Sequence, residues 1–388
     1  MPKDWSTKLI HTDARVPEGF RSLATPVYRG STTLFDDAHH IVDHWDQHKH
    51  GYTYGLYGTP TTLELAARVA ELEGGQYTQI TAGGQGALAL INLALLKSGE
   101  HIVIPENVYG PHRRLAYSML KRFGIEATYY DPLIGAGIAD LLRDNTRLVW
   151  CESPGSLTME VQDVPAIVKV AHARGALVAI DNTWSSGVFF RAFDHGCDIV
   201  MQALTKYVGG HSDLLLGSVC VNDRELYEQL GYAHQLIGCS ASPDDCSLAI
   251  RGMKTLAVRL KQIEASALEL AKYFAGREEV ESVLHPALPS CPGHEFWKRD
   301  FTGSAGLFSG VFKPGPSKAQ VEDFVNALEL FELGYSWGGV TSLAVPYDLS
   351  HARGRAKYDH RIVRIYVGLE DPRDLIADIA QALPKLKS

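Results

Sequence analysis

No stretch of the chain approaches about 20 consecutive uncharged apolar residues, so a membrane-spanning helix is not expected. The first residues, Met1-Pro2-Lys3-Asp4-Trp5-Ser6, lack an apolar signal core, and secretion is not expected either. Cysteine is sparse. Cys151, Cys197, Cys220, Cys239, Cys246 and Cys291 show no CxxC spacing and mostly sit in apolar runs, which reads as reduced, buried thiols in a cytoplasmic protein. Neither sign of charge dominates: 37 basic residues against 45 acidic ones leave −8, too mild a balance to draw the chain to nucleic acid or to an anionic membrane. No internal repeat or low-complexity tract is present, and the 36 Gly and 18 Pro are scattered, which argues against a collagen-like or disordered chain. What is left is the composition of an ordinary soluble enzyme, with 388 residues allowing two or three domains.

From Lys8 to Gly51 there is little sustained periodicity, and His, Asp and Thr are frequent. Such a segment suits an arm packed on another part of the fold or on a second subunit. Near Thr61 the pattern changes: Leu63, Leu65, Ala66, Val69, Ala70 and Leu72 recur at helical spacing and stop at Gly74-Gly75. Short apolar strands then alternate with amphipathic helices. The strands expected are Tyr77–Thr81, His101–Ile104, Ala127–Tyr130, Arg147–Cys151, Ala176–Ile180, Ile199–Gln202 and Leu214–Val221. Between them come helices at Gly86–Leu96, Pro111–Phe123, Val164–Arg174 and Arg224–Leu230. Runs such as Leu177-Val178-Ala179-Ile180 are apolar without alternation, as strands covered on both faces are. The expectation is an α/β fold with one mainly parallel sheet. A long helix from Cys246 to Phe274, broken or bent near Gly252, then leads into a smaller α+β domain ending in a helix over Leu375–Leu386.

Three groups of residues carry candidate chemistry. Gly84-Gln85-Gly86-Ala87-Leu88-Ala89 matches GxGxxA after a strand and at the start of a helix, with Glu106 20 residues beyond the second Gly. A glycine-opened helix N-terminus binds phosphate through its free N–H groups, so the loop reads as a phosphate site and only weakly as an NAD site. His40, His44 and His48 would share one helix face, but no Cys pair lies nearby, and a solvated helix or subunit contact is the better reading than a metal site. Asp181 closes an apolar strand, and Lys206 closes the next strand-like run ahead of Gly209-Gly210. Open α/β sheets place ligands outside the carboxyl ends of their strands. A lysine there can capture an aldehyde, and a partnered acid can hold a pyridine nitrogen protonated. Together with the glycine loop, the pair points to pyridoxal 5′-phosphate (PLP) as cofactor.

The chain resembles the PLP-dependent cysteine/methionine metabolism (trans-sulfuration) family over nearly its whole length. The resemblance rests on Glu152-Ser153-Pro154-Gly155-Ser156-Leu157-Thr158-Met159-Glu160-Val161, Ala179-Ile180-Asp181-Asn182-Thr183-Trp184, and Thr205-Lys206-Tyr207 with Gly210-His211-Ser212-Asp213. His294-Glu295-Phe296-Trp297-Lys298-Arg299-Asp300, Tyr335-Ser336-Trp337-Gly338-Gly339 and Val367-Gly368-Leu369-Glu370-Asp371 complete it. It implies an aspartate-aminotransferase-like (type I) PLP fold: a mainly parallel seven-stranded sheet with a smaller C-terminal α+β domain. The division implied is residues 1–57 as an arm on the neighbouring subunit, 58–252 as the PLP-binding domain and 253–388 as the C-terminal domain.

By the same resemblance Lys206 carries the cofactor, Asp181 pairs with the pyridine nitrogen, and Tyr109 stacks on the ring. Gly84, Gln85 and Thr205 hold the phosphate, while Arg364 clamps the substrate α-carboxylate, a task suited to a planar guanidinium. Ser336 and Trp337 line the substrate pocket, and Tyr54 reaches the neighbouring subunit's site, so that Lys206, Tyr109 and Tyr54 form the catalytic group. Two departures stand out. Leu56 replaces the Arg of the family's Tyr-x-Arg arm motif, and Ala203 stands where many members have Ser; both remove phosphate contacts.

The γ-acting members carry Asn where Ser156 stands and Leu where Trp337 stands, so these positions favour the β-cleaving branch. The activity implied is α,β-elimination of L-cystathionine to homocysteine, pyruvate and ammonia. A γ-lyase, a homoserine-ester sulfhydrylase or a broader cysteine-S-conjugate β-lyase is the alternative, and an NAD-dependent oxidoreductase a remote one. A homotetramer built as a dimer of dimers, a small amino-acid thioether as substrate, and neither nucleic acid nor membrane as partner complete the expectation.

Overall fold

The computed structural model describes residues 4–11 and 22–387. Residues 1–3 and 12–21 of the expected arm therefore lie outside the described residues. Seven strands, β1 (Tyr77–Thr81), β2 (His101–Pro105), β3 (Glu126–Tyr130), β4 (Thr146–Glu152), β5 (Leu177–Asp181), β6 (Ile199–Gln202) and β7 (Gly217–Val221), form one sheet in the order β1-β7-β6-β5-β4-β2-β3. Pairings among β2 to β6 are parallel; β7 alone runs antiparallel to its neighbours β1 and β6.

Successive residues of each strand enter opposite cores, which is why the runs are apolar throughout. Val178 and Ile180 join one core with Val149, Cys151 and Val200, whereas Ala179 joins the other with Leu148, Trp150, Ile199 and Met201. Helices Pro60–Glu73 and Pro243–Ala275 cover the first face through Leu65, Val69, Ile250 and Leu256. Helices Gly84–Leu95 and Arg224–Ile237 cover the second through Leu88, Ile91, Leu226 and Leu230. The six cysteines are free, and five of them are buried.

A second, antiparallel sheet of β8 (Val280–Leu284), β9 (Leu307–Phe312), β10 (Leu343–Tyr347) and β11 (Ile362–Tyr366) has the order β10-β11-β9-β8. It packs with helices Lys318–Asn326 and Pro372–Ala382 around Phe274, Phe308, Phe312, Phe324 and Ile379.

Two expectations about elements are corrected. The long helix is continuous over Pro243–Ala275, with no break at Gly252. A Cβ at Gly252 would collide with the carbonyl oxygens of Val208 and Gly209, so the glycine serves close helix-to-backbone packing. This helix runs through the 252/253 position expected to part the domains: its first half packs on the large sheet and its last turns, Ala267 to Phe274, on the small one. The histidine face does not form. Asp37 caps a short turn at Ala38–His40 and Asp46 starts a separate one at Gln47–His50, so His40, His44 and His48 share no helix. The segment expected as one helix over Pro111–Phe123 is helical without interruption over 110–122, with a π-helical turn at Ala116–Leu120 inside it.

Candidate active site

Asp181 is the last residue of β5, and four residues beyond the end of β6 the chain reaches Lys206. The Asp181 carboxylate accepts from the Thr183 backbone N–H at 3.0 Å and from its hydroxyl at 2.5 Å; the same hydroxyl accepts from Ala203 N–H at 2.9 Å. Thr183 thus ties the carboxylate to the turn that carries the lysine. Burial raises the pKa of Asp181, an effect that the Thr183 bonds and the Lys206 charge oppose.

The Lys206 amine donates to Ser336 Oγ at 2.5 Å and lies 5.3 Å from the Trp337 ring centroid. Its pKa falls to about 8, first because burial disfavours the charged form and then because Arg364 repels it, with Asp181 acting the other way. The approach of the Ser336–Gly339 loop is close enough that a Cβ at Gly338, whose φ is +91°, would stand 2.7 Å from the Lys206 carbonyl carbon.

Arg364, on the central strand β11, donates through Nη2 to the Ser336 carbonyl at 3.2 Å and faces the Tyr347 ring at 5.4 Å. No carboxylate neutralises it here among the described ion pairs, and burial lowers its pKa. A half-buried guanidinium beside an amine, with no carboxylate on it among the described ion pairs, is able to receive a ligand carboxylate.

Tyr109 precedes helix Gly110–Leu115, 44% exposed, with its backbone N–H held by Glu152 Oε2 at 2.7 Å. Burial, and then the Asp181 charge, push the Glu152 carboxyl well above the usual range. Glu152 ends β4 and pairs in register with Asp181.

The glycine loop opens helix Gly84–Leu95 two residues earlier than the sequence suggested. The first intrahelical bond is made by Ala87 N–H to Gly83 O, leaving the preceding amides free of helix partners. A Cβ at Gly84 would lie 2.7 Å from the Ala203 methyl, so the loop and the lysine turn form one cradle. Gln85 is exposed at its mouth. Thr205 sits deeper, its hydroxyl accepting from Leu216 N–H at 3.0 Å and donating to Leu216 O at 3.1 Å.

Tyr54 is on the arm, 46% exposed and 6.1 Å from the Tyr57 ring. The Tyr57 hydroxyl donates to Asp43 at 2.5 Å, which pushes its pKa up to about 12. Glu106, the acid that completed the dinucleotide pattern, is ion-paired with Arg113 at 2.7 Å and with the exposed Arg353 at 3.5 Å.

Sequence reasoning missed Thr183, Glu152 and Tyr347 as parts of the site. The first two had a local signal, a hydroxyl two residues after a strand-ending Asp and a carboxylate ending an apolar strand; Tyr347 arrives only through the pairing of β10 with β11.

An amine, a carboxylate, an aromatic side chain and a glycine cradle at one sheet edge form the donor set that suits PLP. Comparison with known proteins agrees. Cystathionine beta-lyase of Haemophilus influenzae is 38% identical over 393 residues, 99% of this chain and 98% of that protein. Cystathionine beta-lyase MetC of Escherichia coli is 38% identical over 385 residues, 97% of each. Among solved structures, metB from Corynebacterium glutamicum superposes with a TM-score of 0.91 at 32% identity, covering 99% of this chain and 98% of that one. With a family model matching residues 6–384, the chain belongs to the Cys/Met metabolism PLP-dependent enzymes.

Proposed function

We propose that the protein is a carbon–sulfur lyase that cleaves L-cystathionine by α,β-elimination to homocysteine, pyruvate and ammonia. The observation carrying this reading is the Lys206 amine, held by Ser336 Oγ between Asp181 and Arg364 with its pKa near 8. PLP, when bound, supplies the electron sink that stabilises negative charge at the substrate Cα.

The chain's own residues do the rest. Arg364 grips the α-carboxylate, and Ser336 and Trp337 wall the pocket that orients the Cα–H bond. Lys206 Nζ takes the Cα proton and delivers one to the departing sulfur. A pKa of about 8 leaves on the order of one lysine in ten uncharged at neutral pH, against fewer than one in a thousand for an ordinary lysine. Asp181 is the carboxylate that would keep a proton on the ring nitrogen, and Tyr109 the aromatic side chain that would pack on the ring. Gly84 and Gln85 offer backbone N–H groups to the phosphate, and Thr205 offers its hydroxyl in exchange for the Leu216 carbonyl.

Asp181 and Lys206 come from residues 58–252 and Ser336 and Arg364 from 253–388, so the cleft between these units is the proposed site. The arm, residues 1–57, carries Tyr54 to a neighbouring subunit's cleft in a cytoplasmic homotetramer. The half-exposed Tyr54 ring, whose one ring contact among the described residues is with Tyr57 of the same arm, supports that reading.

The test is Lys206→Ala, assayed for pyruvate release from cystathionine. Loss of at least a thousandfold in kcat is expected on removing the proton carrier; undiminished turnover sinks the proposal.

A further inference from the structure

Buried beside the strand ends that lead to Asp181 and Lys206 is a carboxylate to which the reaction assigns nothing. Glu73 is the last residue of helix Pro60–Glu73 and is 1% exposed. Its Oε2 accepts from Asn182 Nδ2 at 2.9 Å and its Oε1 from Gln202 Nε2. Asn182 follows Asp181, and Gln202 ends β6, four residues before Lys206. One carboxylate therefore binds the ends of the two strands that deliver the acid and the amine.

Neighbouring groups hold Glu73 in turn. A Cβ at Gly187, where φ is +68°, would lie 2.9 Å from the Glu73 carboxyl carbon, so the turn after Asn182 presses on it. Asn182 is further fixed by its Nδ2 bond to Phe190 O at 3.1 Å and by the Ser185 hydroxyl. The charged and titratable groups around Glu73 are Asp181, Arg191, Cys197 and Cys220. Arg191 does not serve as its ion-pair partner; it donates to Leu72 O at 3.3 Å and lies 4.0 Å from Asp194. Burial accordingly raises the Glu73 pKa to about 7, against the pull of Gln202 and Asn182. Leaving a carboxyl unpaired in a core is costly, and two apolar side chains would pack there at less cost. Two amide donors aimed at it give the carboxyl a geometric task.

We propose that Glu73 is a positioning residue, which clamps Asn182 and Gln202 so that Asp181 and Lys206 face each other across the cofactor. The inference rests on the roles of Lys206 and Asp181 proposed above. Glu73 touches neither substrate nor cofactor and acts through the strand ends alone.

The holoenzyme tests it through the pH midpoint of the visible band of lysine-bound PLP. Glu73→Gln turns one acceptor into a donor facing a donor. Asp181 then shifts from the ring nitrogen, the ring withdraws fewer electrons, and the midpoint rises by about one pH unit, with kcat down about tenfold and KM within about twofold. The exchange Glu73→Gln with Gln202→Glu restores an acceptor for every donor. The amide oxygen brought in at the first position faces Asn182, its NH2 group faces the carboxylate brought in at the second, and the midpoint returns to its original value. A folded Glu73→Gln enzyme with an unmoved midpoint overturns the proposal. If that variant does not fold, the exchange decides: a folded double variant with a displaced midpoint overturns it equally. Lys206→Ala separates this from failure of the underlying reading, since persistence of the lysine-type band there discredits the role of Lys206 and not that of Glu73.

Discussion

Each charged residue of the site sits where burial has already altered its chemistry. Lys206 titrates near 8 in the folded chain, below the ordinary lysine value of about 10.4 in the unfolded one. Between those values the unfolded chain binds more protons, so stability rises with pH across that window. In the cofactor-free protein, Lys206→Met should therefore exceed wild type in unfolding free energy by up to about 3 kcal/mol below pH 8. The difference should disappear towards about pH 10. Urea unfolding at several pH values measures it, and a constant difference would show that Lys206 is not desolvated as described.

Arg364 is a second case. A lysine there keeps the charge but loses the flat two-pronged fork, so Arg364→Lys should raise KM for cystathionine roughly tenfold to a hundredfold and change kcat less. Steady-state kinetics checks this, and an unchanged KM would remove Arg364 from the carboxylate site. Asp181 and Lys206 were legible in the sequence because each ends an apolar run. Glu152, Thr183 and Glu73 were not assigned roles, since what each does depends on a neighbour that only the fold brings near.

Among the elements, the seven strands of the large sheet were legible from continuous apolar runs, within a few residues at each end. The direction of β7 was not, because a strand's sequence reads alike whichever way its partner runs. Gly252 misled for a different reason. Glycine's poor helix propensity suggests a break, but Val208 and Gly209 press on the helix at that point and demand the absence of a side chain. The two effects can be weighed. Gly252→Ala gains about 1 kcal/mol of helix propensity and loses about 1–3 kcal/mol or more to overpacking against rigid backbone. A net loss is expected, seen as a melting temperature lower by a few degrees, and a rise would contradict the close packing. The histidine cluster misled through its spacing, although Asp37 and Asp46, acting as caps, had marked two short turns in place of one helix.

At the scale of the whole molecule, the arm is the part least explained by its own chain. Tyr54 stands half exposed with Tyr57 beside it, while Asp43 takes up the Tyr57 hydroxyl. If Tyr54 serves a neighbouring cleft, mixed oligomers of Lys206→Ala and Tyr54→Ala subunits should regain activity that neither variant has alone, about a quarter of wild type for random pairing into two-fold dimers. No recovery in verified mixed oligomers would place Tyr54 in its own subunit's chemistry or outside the reaction altogether.

The remaining feature of the whole cleft is where it cuts. Ser156 and Trp337 are the positions at which the sequence resembles the β-cleaving branch, and Lys206, which donates to Ser336 Oγ and lies 5.3 Å from the Trp337 ring centroid, is the proposed proton carrier. Keto-acid analysis after turnover of L-cystathionine by the PLP-loaded protein tests this most directly. Pyruvate with an equal amount of homocysteine is the predicted result; 2-oxobutyrate with cysteine would contradict it.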